Sequence, residues 1–191
     1  MDSKLLLQLR EATGAPITAC RQAILDTKGD VAHATDILRK KGLESAAKKA
    51  GRTASEGIID AYIHPNKKVG VLIEVNCETD FVARTAEFQE FVHDLALQIA
   101  ATSPVYVRSE DIPPGIVDEQ KVAWAQEFAG KPPAMVEKIM QGKLQSWYAE
   151  ICLMQQPYLK DEGITIEELL KQKIAKLGEH VSIKRFARFN V

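Results

Sequence analysis

The residues of this chain that could perform covalent chemistry lie in and around the stretch VNCETDFVAR, at positions 75–84. Cys77 is a candidate thiol nucleophile, with His64 as a candidate base and Asp80 as a candidate orienting group. However, Cys77 continues the alternation of the apolar residues before it, which is typical of the buried face of a strand. We therefore interpret Cys77 as a small buried thiol, because a reactive cysteine needs a lowered pKa.

Other active-site residue types are present without the spacing that their chemistry needs. The four histidines, at positions 33, 64, 93 and 180, share no metal-ligand spacing with the three cysteines. The sequence has neither a GxxxxGK[ST] phosphate loop nor a GxGxxG turn. The acidic pairs Asp161-Glu162 and Glu167-Glu168 are typical of helix starts rather than of a catalytic dyad. We therefore expect no catalytic residue, no metal site, no cofactor and no enzymatic activity.

The pair Asp80-Phe81 allows two interpretations, because it lies where a strand pattern gives way to a helical one. In the first, Phe81 fills the core beneath a hairpin and Asp80 caps the following helix. In the second, the ring projects outward and anchors another protein, since interaction hot spots favour aromatic side chains beside placed charges. The residue types alone leave both interpretations open.

Composition argues against several functional classes. The chain has 191 residues, a net charge of −1, 46% hydrophobic residues and 27% charged residues, which is ordinary for a globular protein. The near-neutral charge argues against a general nucleic-acid binder, and no apolar run approaches the roughly 20 residues of a transmembrane helix. Three cysteines without paired spacing favour a reducing compartment, and the first residues lack the apolar core of a secretory signal. We expect a cytoplasmic protein; an organellar protein whose transit peptide has been removed would fit the same pattern.

Helix start and stop signals divide the first 42 residues into three helices. The first is expected to end at Thr13-Gly14, and Pro16 suits the first turn of the second. Gly29 is expected to end the second helix, Asp30 to cap the third, and Gly42 to stop it. These helices predict a compact bundle with a small core.

A basic segment follows the bundle. Residues 39–52 contain six Lys or Arg and one Glu, which predicts a partly helical linker. A solvated face is the favoured interpretation of this charge, and a dock for RNA or an acidic partner is the alternative.

From Gly57 the periodicity becomes that of β-strands. Ile59, Ala61 and Ile63 alternate, a turn-forming stretch follows at 64–68, and alternation resumes at 69–77, which predicts an antiparallel hairpin with one buried face. The apolar residues of 88–99 have helical spacing, so a long helix is expected to cover that face. The remaining predictions are helices at 116–129, 132–149 and 166–177, an extended segment at 150–160, and a final strand in HVSIKRFARFNV. Together these elements predict an α+β fold.

Several segments, taken in order, resemble the bacterial elongation factor Ts family in its short form. VNCETDFVART resembles the family's central motif, LREATGAPITACRQAILDTKGDVAHATDILRKKG its amino-terminal three-helix module, and AAKKAGRTASEG the join between them. EKIMQGKLQSWYAEICLMQQPYLKD and RFARFNV resemble its later part. The resemblance implies a UBA-like bundle, similar to a ubiquitin-associated domain, plus the basic linker at 1–53. It implies an α+β core and dimerisation domain at 54–191, an antiparallel sheet packed with helices.

The resemblance also implies a function, guanine nucleotide exchange on elongation factor Tu, the GTPase that delivers aminoacyl-tRNA to the ribosome. In the family, the pair corresponding to Asp80 and Phe81 enters the GTPase domain beside its Mg²⁺ and phosphates and dislodges the metal. Such a factor binds the GDP-bound and nucleotide-free partner and allows GTP to rebind during elongation. Thr79 and Val82 are implied to support this wedge. No cofactor, no membrane and no direct nucleic acid contact are expected.

A second contact and a dimer are implied as well. Arg10 corresponds to a contact arginine of the family's amino-terminal module, whereas Ile17 and Thr18 replace two methionines found in some members. Longer members carry two related sheet-and-helix halves, and this chain has one. The short form implies that two chains pair, which predicts a homodimer and a two-to-two complex with elongation factor Tu.

Overall fold

The computed structural model describes residues 3–128 and 132–191. The described helices are α1 (Ser3–Thr13), α2 (Ile17–Asp26), α3 (Val31–Lys49), α4 (Asp80–Ala83), α5 (Ala86–Thr102), α6 (Pro114–Glu127), α7 (Pro133–Ile151) and α8 (Ile166–Leu177). The described strands are β1 (Glu56–Ile63), β2 (Val69–Cys77), β3 (Pro157–Tyr158), β4 (Asp161–Thr165) and β5 (Val181–Asn190). The predicted α+β class is confirmed.

The first three helices form a bundle around their own small core. Its buried residues are Leu9, Cys20, Ala23, Ile24, Ala34 and Leu38. Asp30 caps α3 as predicted, because its carboxylate accepts a hydrogen bond from the backbone N–H of His33 at 3.0 Å. Gly14, with a φ of +65°, makes the turn between α1 and α2.

The prediction that Gly42 stops the third helix is wrong, because α3 continues to Lys49. Gly42 faces α8, and a Cβ atom on it would lie 3.0 Å from the Cβ of Ala175. The missing side chain lets the two helices approach, and Ala46, one turn further on, is buried in the main core. This packing offsets the roughly 1 kcal/mol by which glycine disfavours a helix interior relative to alanine. The two hydrophobic cores are thus joined by one continuous helix.

The main core lies between a three-stranded antiparallel sheet, in the order β1-β2-β5, and the helices that cover it. The final strand is confirmed, since β5 pairs with β2 from Val69↔Asn190 to Cys77↔Val181. The long helix is confirmed as α5, whose residues Phe88, Val92, Leu95 and Ile99 are fully buried. Strand β2 buries alternate side chains as expected, including that of Cys77.

Strand β1 has apolar residues on both of its faces, and the alternation noted in its sequence lies on the outer one. Ile58 and Tyr62 pack against the core, whereas Ile59 and Ile63 are 68% and 62% exposed. The register decides this orientation, because Ile58 lies opposite the buried Val75 of β2. Periodicity could not choose between the two faces because both are apolar.

The carboxy-terminal half agrees with the sequence except at 150–160 and at Asp161-Glu162, a pair that was expected to start a helix but instead begins strand β4. Helices at 116–129, 132–149 and 166–177 are confirmed over the residues that the structure describes, which leave out 129–131. The extended segment at 150–160 is largely wrong, since α7 continues to Ile151 and a 3₁₀ turn covers Leu153–Gln155. Cys152, Leu153 and Met154 are buried, and an apolar run of this length is compatible with either conformation. Among the described helices, none is long and apolar enough to cross a membrane.

Candidate partner-binding site

A short turn leads from the end of β2 into α4, and two threonines define it. Thr79 caps α4, its side chain accepting a hydrogen bond from the N–H of Val82 at 3.4 Å. Thr85 caps α5 in the same way through the N–H of Phe88 at 3.3 Å. We call residues 79–82 the wedge turn. Its sequence, TDFV, places one helical turn between two caps and fixes where each side chain points.

The two central side chains of the wedge turn point into solvent. Phe81 is 84% exposed, and the Asp80 carboxylate lies 2.9 Å from the exposed guanidinium of Arg84. The interpretation in which Phe81 fills the core and Asp80 caps the helix is therefore wrong, because Thr79 is the cap and the ring is outside. An exposed aromatic ring beside a carboxylate is the arrangement that favours contact with another macromolecule.

The opposite side of this turn is anchored in the protein. Val82 packs against the main core, and Ala83 is buried within it. The Thr85 hydroxyl donates a hydrogen bond to the carbonyl oxygen of Val82 at 2.8 Å. The residues that follow Phe81 are therefore held against the core, which limits how far the ring can move.

Two glutamates hold the base of the wedge turn, and neither was predicted from the sequence. Glu179 accepts hydrogen bonds from the backbone N–H of Thr79 at 3.0 Å and from its hydroxyl at 2.7 Å. Glu78 accepts the backbone N–H of His180 at 2.6 Å and lies 3.4 Å from Arg52. The hydrogen bond from His180, and secondarily the charge of Arg52, lower the pKa of Glu78. The two glutamates reach their partners through the pairing register of β2 with β5, which could not be predicted from the sequence.

The thiol-enzyme interpretation of Cys77 finds no support in the geometry. Cys77 is fully buried and its thiol donates to the carbonyl oxygen of Thr79 at 3.1 Å. Burial, and secondarily the charge of Glu179, raise the pKa of this thiol, whereas a nucleophile needs the opposite shift. Within the hairpin, Cys77 pairs with Glu56 at one end, while His64 follows the opposite end of β1 and contacts Tyr62. The three candidate residues are not brought together.

The structure places the second set of predicted contact residues around one corner of the amino-terminal bundle. Arg10 lies in the last turn of α1, while Ile17 and Thr18 begin α2. All three are exposed, Ile17 to 50%. The Gly14 N–H donates to the carbonyl oxygen of Arg10 at 2.7 Å, which fixes the connection between the two helices. This corner therefore presents an exposed apolar side chain and an exposed cation.

The remaining candidates carry no additional chemistry. Most of the charges of the basic segment project from the exposed side of α3 and the residues after it, and one of them, Arg52, is engaged by Glu78. Within 3–128 and 132–191, no group of three or more His, Cys, Asp or Glu side chains is arranged to hold a metal ion.

Comparison with known proteins identifies the family. The family model described as elongation factor TS matches residues 43–191. The elongation factor Ts of Carboxydothermus hydrogenoformans is 49% identical over 193 residues, covering 100% of this chain and 89% of that protein. The elongation factor Ts proteins of Koribacter versatilis and Caldanaerobacter subterraneus are 49% and 48% identical, covering 96% and 99% of this chain and 84% and 96% of their own lengths. This chain belongs to the elongation factor Ts family.

Membership of the elongation factor Ts family bears differently on the two candidate surfaces. The wedge turn lies inside the region that the family model matches, whereas Arg10, Ile17 and Thr18 lie outside it. Similarity at the amino-terminal corner depends on the relatives, which match nearly the whole chain.

Proposed function

We propose that this protein is a guanine nucleotide exchange factor for elongation factor Tu and that the wedge turn carries the activity. The observation that supports this most strongly is the 84% exposure of Phe81 on a turn whose other side packs against the main core. A ring that is 84% exposed gains little from packing in the free protein. Its placement is explained if its binding pocket belongs to a partner.

The proposed mechanism needs binding energy and no covalent step. A GTPase holds GDP largely through phosphates that are cradled by backbone amides and neutralised by Mg²⁺. Insertion of Phe81 beside that site, with the carboxylate of Asp80 next to it, displaces the metal and leaves the phosphate charge poorly neutralised. Factor and nucleotide then weaken each other's binding to the same extent, and a coupling of ~3 kcal/mol corresponds to roughly 150-fold in each direction. GTP can bind once GDP has left.

In this proposal the partner is bound in both its GDP-bound and its nucleotide-free forms, in the cytoplasm. The corner formed by Arg10, Ile17 and Thr18 supplies a second contact, so that the UBA-like module adds affinity to the wedge turn's effect on release. Two contacts on one rigid partner strengthen binding without further chemistry, provided that both can be reached together.

We further propose that the chain acts as a homodimer that pairs through the outer face of its sheet. Antiparallel sheets commonly have one solvated face that is polar, but the centre of this outer face is apolar. The rows across the three strands are Ile63-Gly70-Phe189, Ala61-Leu72-Ala187 and Ile59-Glu74-Arg185. Phe189 is 66% exposed and Leu72 is 48% exposed, and an exposed apolar patch of this kind marks an interface. Because the patch belongs to the sheet itself, a second copy provides a matching surface and a two-to-two complex follows.

Sedimentation at micromolar concentration tests the dimer. The expected mass is twice the 21.2 kDa of one chain. Leu72→Asp should yield monomers, because it places a charge at the centre of the patch. Val105→Asp, at another apolar residue that is 62% exposed, should remain dimeric. A monomeric native protein would contradict the proposal.

Release of a fluorescent GDP analogue from elongation factor Tu, chased with unlabelled GDP, tests the exchange activity. The native chain should accelerate release strongly, and the combined change Asp80→Ala and Phe81→Ala should remove most of the acceleration. Val105→Ala serves as the matched control, because it truncates an exposed apolar side chain outside the wedge turn. This variant should accelerate release as the native chain does. Lack of acceleration by the native chain would overturn the proposed function, and acceleration that survives the double change would move the mechanism to other contacts.

A further inference from the structure

The β2–β5 ladder ends immediately before the wedge turn, and side chains continue the connection where the backbones separate. The last paired residues are Cys77 and Val181. One position beyond, the Glu78 carboxylate accepts the N–H of His180 at 2.6 Å. Two positions beyond, the Glu179 carboxylate accepts the N–H of Thr79 at 3.0 Å. Each glutamate thus binds the backbone N–H of the residue that follows the other glutamate. We call the reciprocal arrangement of Glu78, Thr79, Glu179 and His180 the clasp.

We propose that the clasp positions Asp80 and Phe81 for nucleotide exchange, with Glu179 as the principal positioning residue. This inference rests on the exchange function proposed above. Glu179 is one hundred positions from Thr79 in the sequence, so the strand that closes the fold also sets the geometry of the contact surface. Neither glutamate needs to touch the partner to have this effect.

The hydroxyl of Thr79 transmits the influence of Glu179 to the exposed residues. The hydroxyl donates its one hydrogen to Glu179 at 2.7 Å, so its lone pairs face the N–H of Val82, which it caps at 3.4 Å. Helix α4 has four residues and cannot hold its own conformation, because a single turn forms at a net cost in free energy. The cap, the packing of Val82 against the core and the buried side chain of Ala83 therefore determine where Phe81 points.

The two glutamates contribute unequally. Glu179 receives two hydrogen bonds from the capping residue itself, whereas Glu78 binds the residue that precedes β5 and leaves the cap untouched. Arg52 adds little to the clasp, since its side chain is 54% exposed and its closest nitrogen lies 3.4 Å from Glu78. The decisive test is therefore made at Glu179.

The capping box of α8 provides a matched control. Glu168 accepts the N–H of Thr165 at 2.9 Å and Thr165 caps the N–H of Glu168 at 3.2 Å, so this pair also joins a glutamate to a capping threonine. Glu179→Ala, Glu179→Gln and Glu168→Ala are compared for release of the GDP analogue over a range of factor concentrations. Glu179→Ala should lower the maximal rate at saturating factor about tenfold, because an interaction needed during release is misplaced. Glu179→Gln retains one acceptor oxygen and should lose less, and Glu168→Ala should stay within about twofold of the native rate.

Hydrogen exchange of the free protein separates failure of the clasp from failure of the function. In Glu179→Ala the amides of residues 78–84 should exchange faster than in the native chain, and in Glu168→Ala they should not. Unchanged amide exchange in Glu179→Ala would overturn the clasp whatever the activity. Faster amide exchange with a native maximal release rate would show that the clasp does not position the wedge, and would also overturn the inference. A native chain that fails to accelerate release overturns the proposed function, and with it the role of the clasp in exchange.

Discussion

The wedge turn and the amino-terminal corner both present an apolar side chain to solvent, but the protein supports them differently. Phe81 projects from a single helical turn that is fixed by hydrogen bonds and by two neighbours in the main core. Ile17 begins a helix in a bundle with its own core of six buried residues. The first surface is small and held locally, whereas the second is carried by a module.

Under the proposed exchange function, this difference predicts separate roles for the two surfaces. A locally held ring can enter a narrow site and act on what is bound there, since its direction is set before contact. A module supplies area and affinity, and its position depends on the helix packing that joins it to the core. We therefore expect changes at the wedge turn to alter the rate of GDP release, and changes at the corner to alter the concentration at which the factor acts.

The largest expected effect is that of Phe81→Ala on the maximal rate of GDP release. Truncation of a central aromatic anchor costs about 2–4 kcal/mol in a binding site, so the acceleration should fall roughly 100-fold. The melting temperature should stay unchanged, because a side chain that is 84% exposed contributes little to folding. Phe81→Leu keeps an apolar side chain without the ring, so its maximal release rate should lie between those of the native and Phe81→Ala proteins. Equal rates for native and Phe81→Ala proteins at saturation would remove the distinction between the surfaces.

A smaller effect is expected when Arg10→Ala and Ile17→Ala are combined at the corner. The concentration for half-maximal acceleration should rise about tenfold, which corresponds to the loss of ~1.4 kcal/mol of binding free energy. The maximal rate should remain native, because the wedge turn is intact. Leu25→Ala changes a residue of α2 that is 54% exposed and lies outside the corner, and it serves as the control. A fall in the maximal rate instead would assign the corner a direct part in release.

Sequence patterns predicted the elements whose signals are local. The cap at Asp30 and the helix over 166–177 are defined by residues a few positions apart, and both are confirmed. The final strand was predictable from its alternation, although its partner and register were not. The resemblance to the family motif predicted that Asp80 and Phe81 contact a partner, whereas residue types alone could not decide between a buried and an exposed ring.

What the sequence could not predict depends on contacts between distant segments. Gly42 is a helix stop by propensity, and only the approach of α8 makes a glycine favourable within α3. Glu179 follows a helix and precedes a strand, where a charged residue is ordinary. Its role appears only when the β2–β5 register sets it opposite Thr79.

The contact of α3 with α8 should also affect the corner, to a smaller extent than direct truncation. Gly42→Leu would place a side chain where even a Cβ lies 3.0 Å from that of Ala175, and overpacking of this kind costs about 1–3 kcal/mol. We expect a lower melting temperature and a modest rise in the half-maximal concentration, with the maximal rate retained. Gly142→Ala in α7 is the control, since nothing lies within 4 Å of its added Cβ and alanine should stabilise the helix by about 0.5–1 kcal/mol. A destabilised Gly42→Leu protein with an unchanged half-maximal concentration would show that module position does not matter for binding.

The smallest expected effect is the pH dependence that Glu78 gives to the base of the wedge turn. The N–H of His180, and then Arg52, lower the pKa of this carboxyl in the folded state. Its contribution to stability is therefore complete above its unfolded pKa of about 4.3 and is lost as the pH falls through the lower folded value. In Glu78→Gln the contribution is absent at every pH, so the melting temperature should fall less steeply than that of the native protein below about pH 4.3.

Glu87 joins α5 to α8, and burial opposes its ionisation, but the hydrogen bonds and charges of Lys176 and Lys173 outweigh burial and lower its pKa as well. Glu87→Gln should therefore change the pH dependence of the melting temperature in the same direction. If the melting temperatures of the native and Glu78→Gln proteins fell equally steeply with decreasing pH, the role of the Glu78 carboxylate in the clasp would be contradicted.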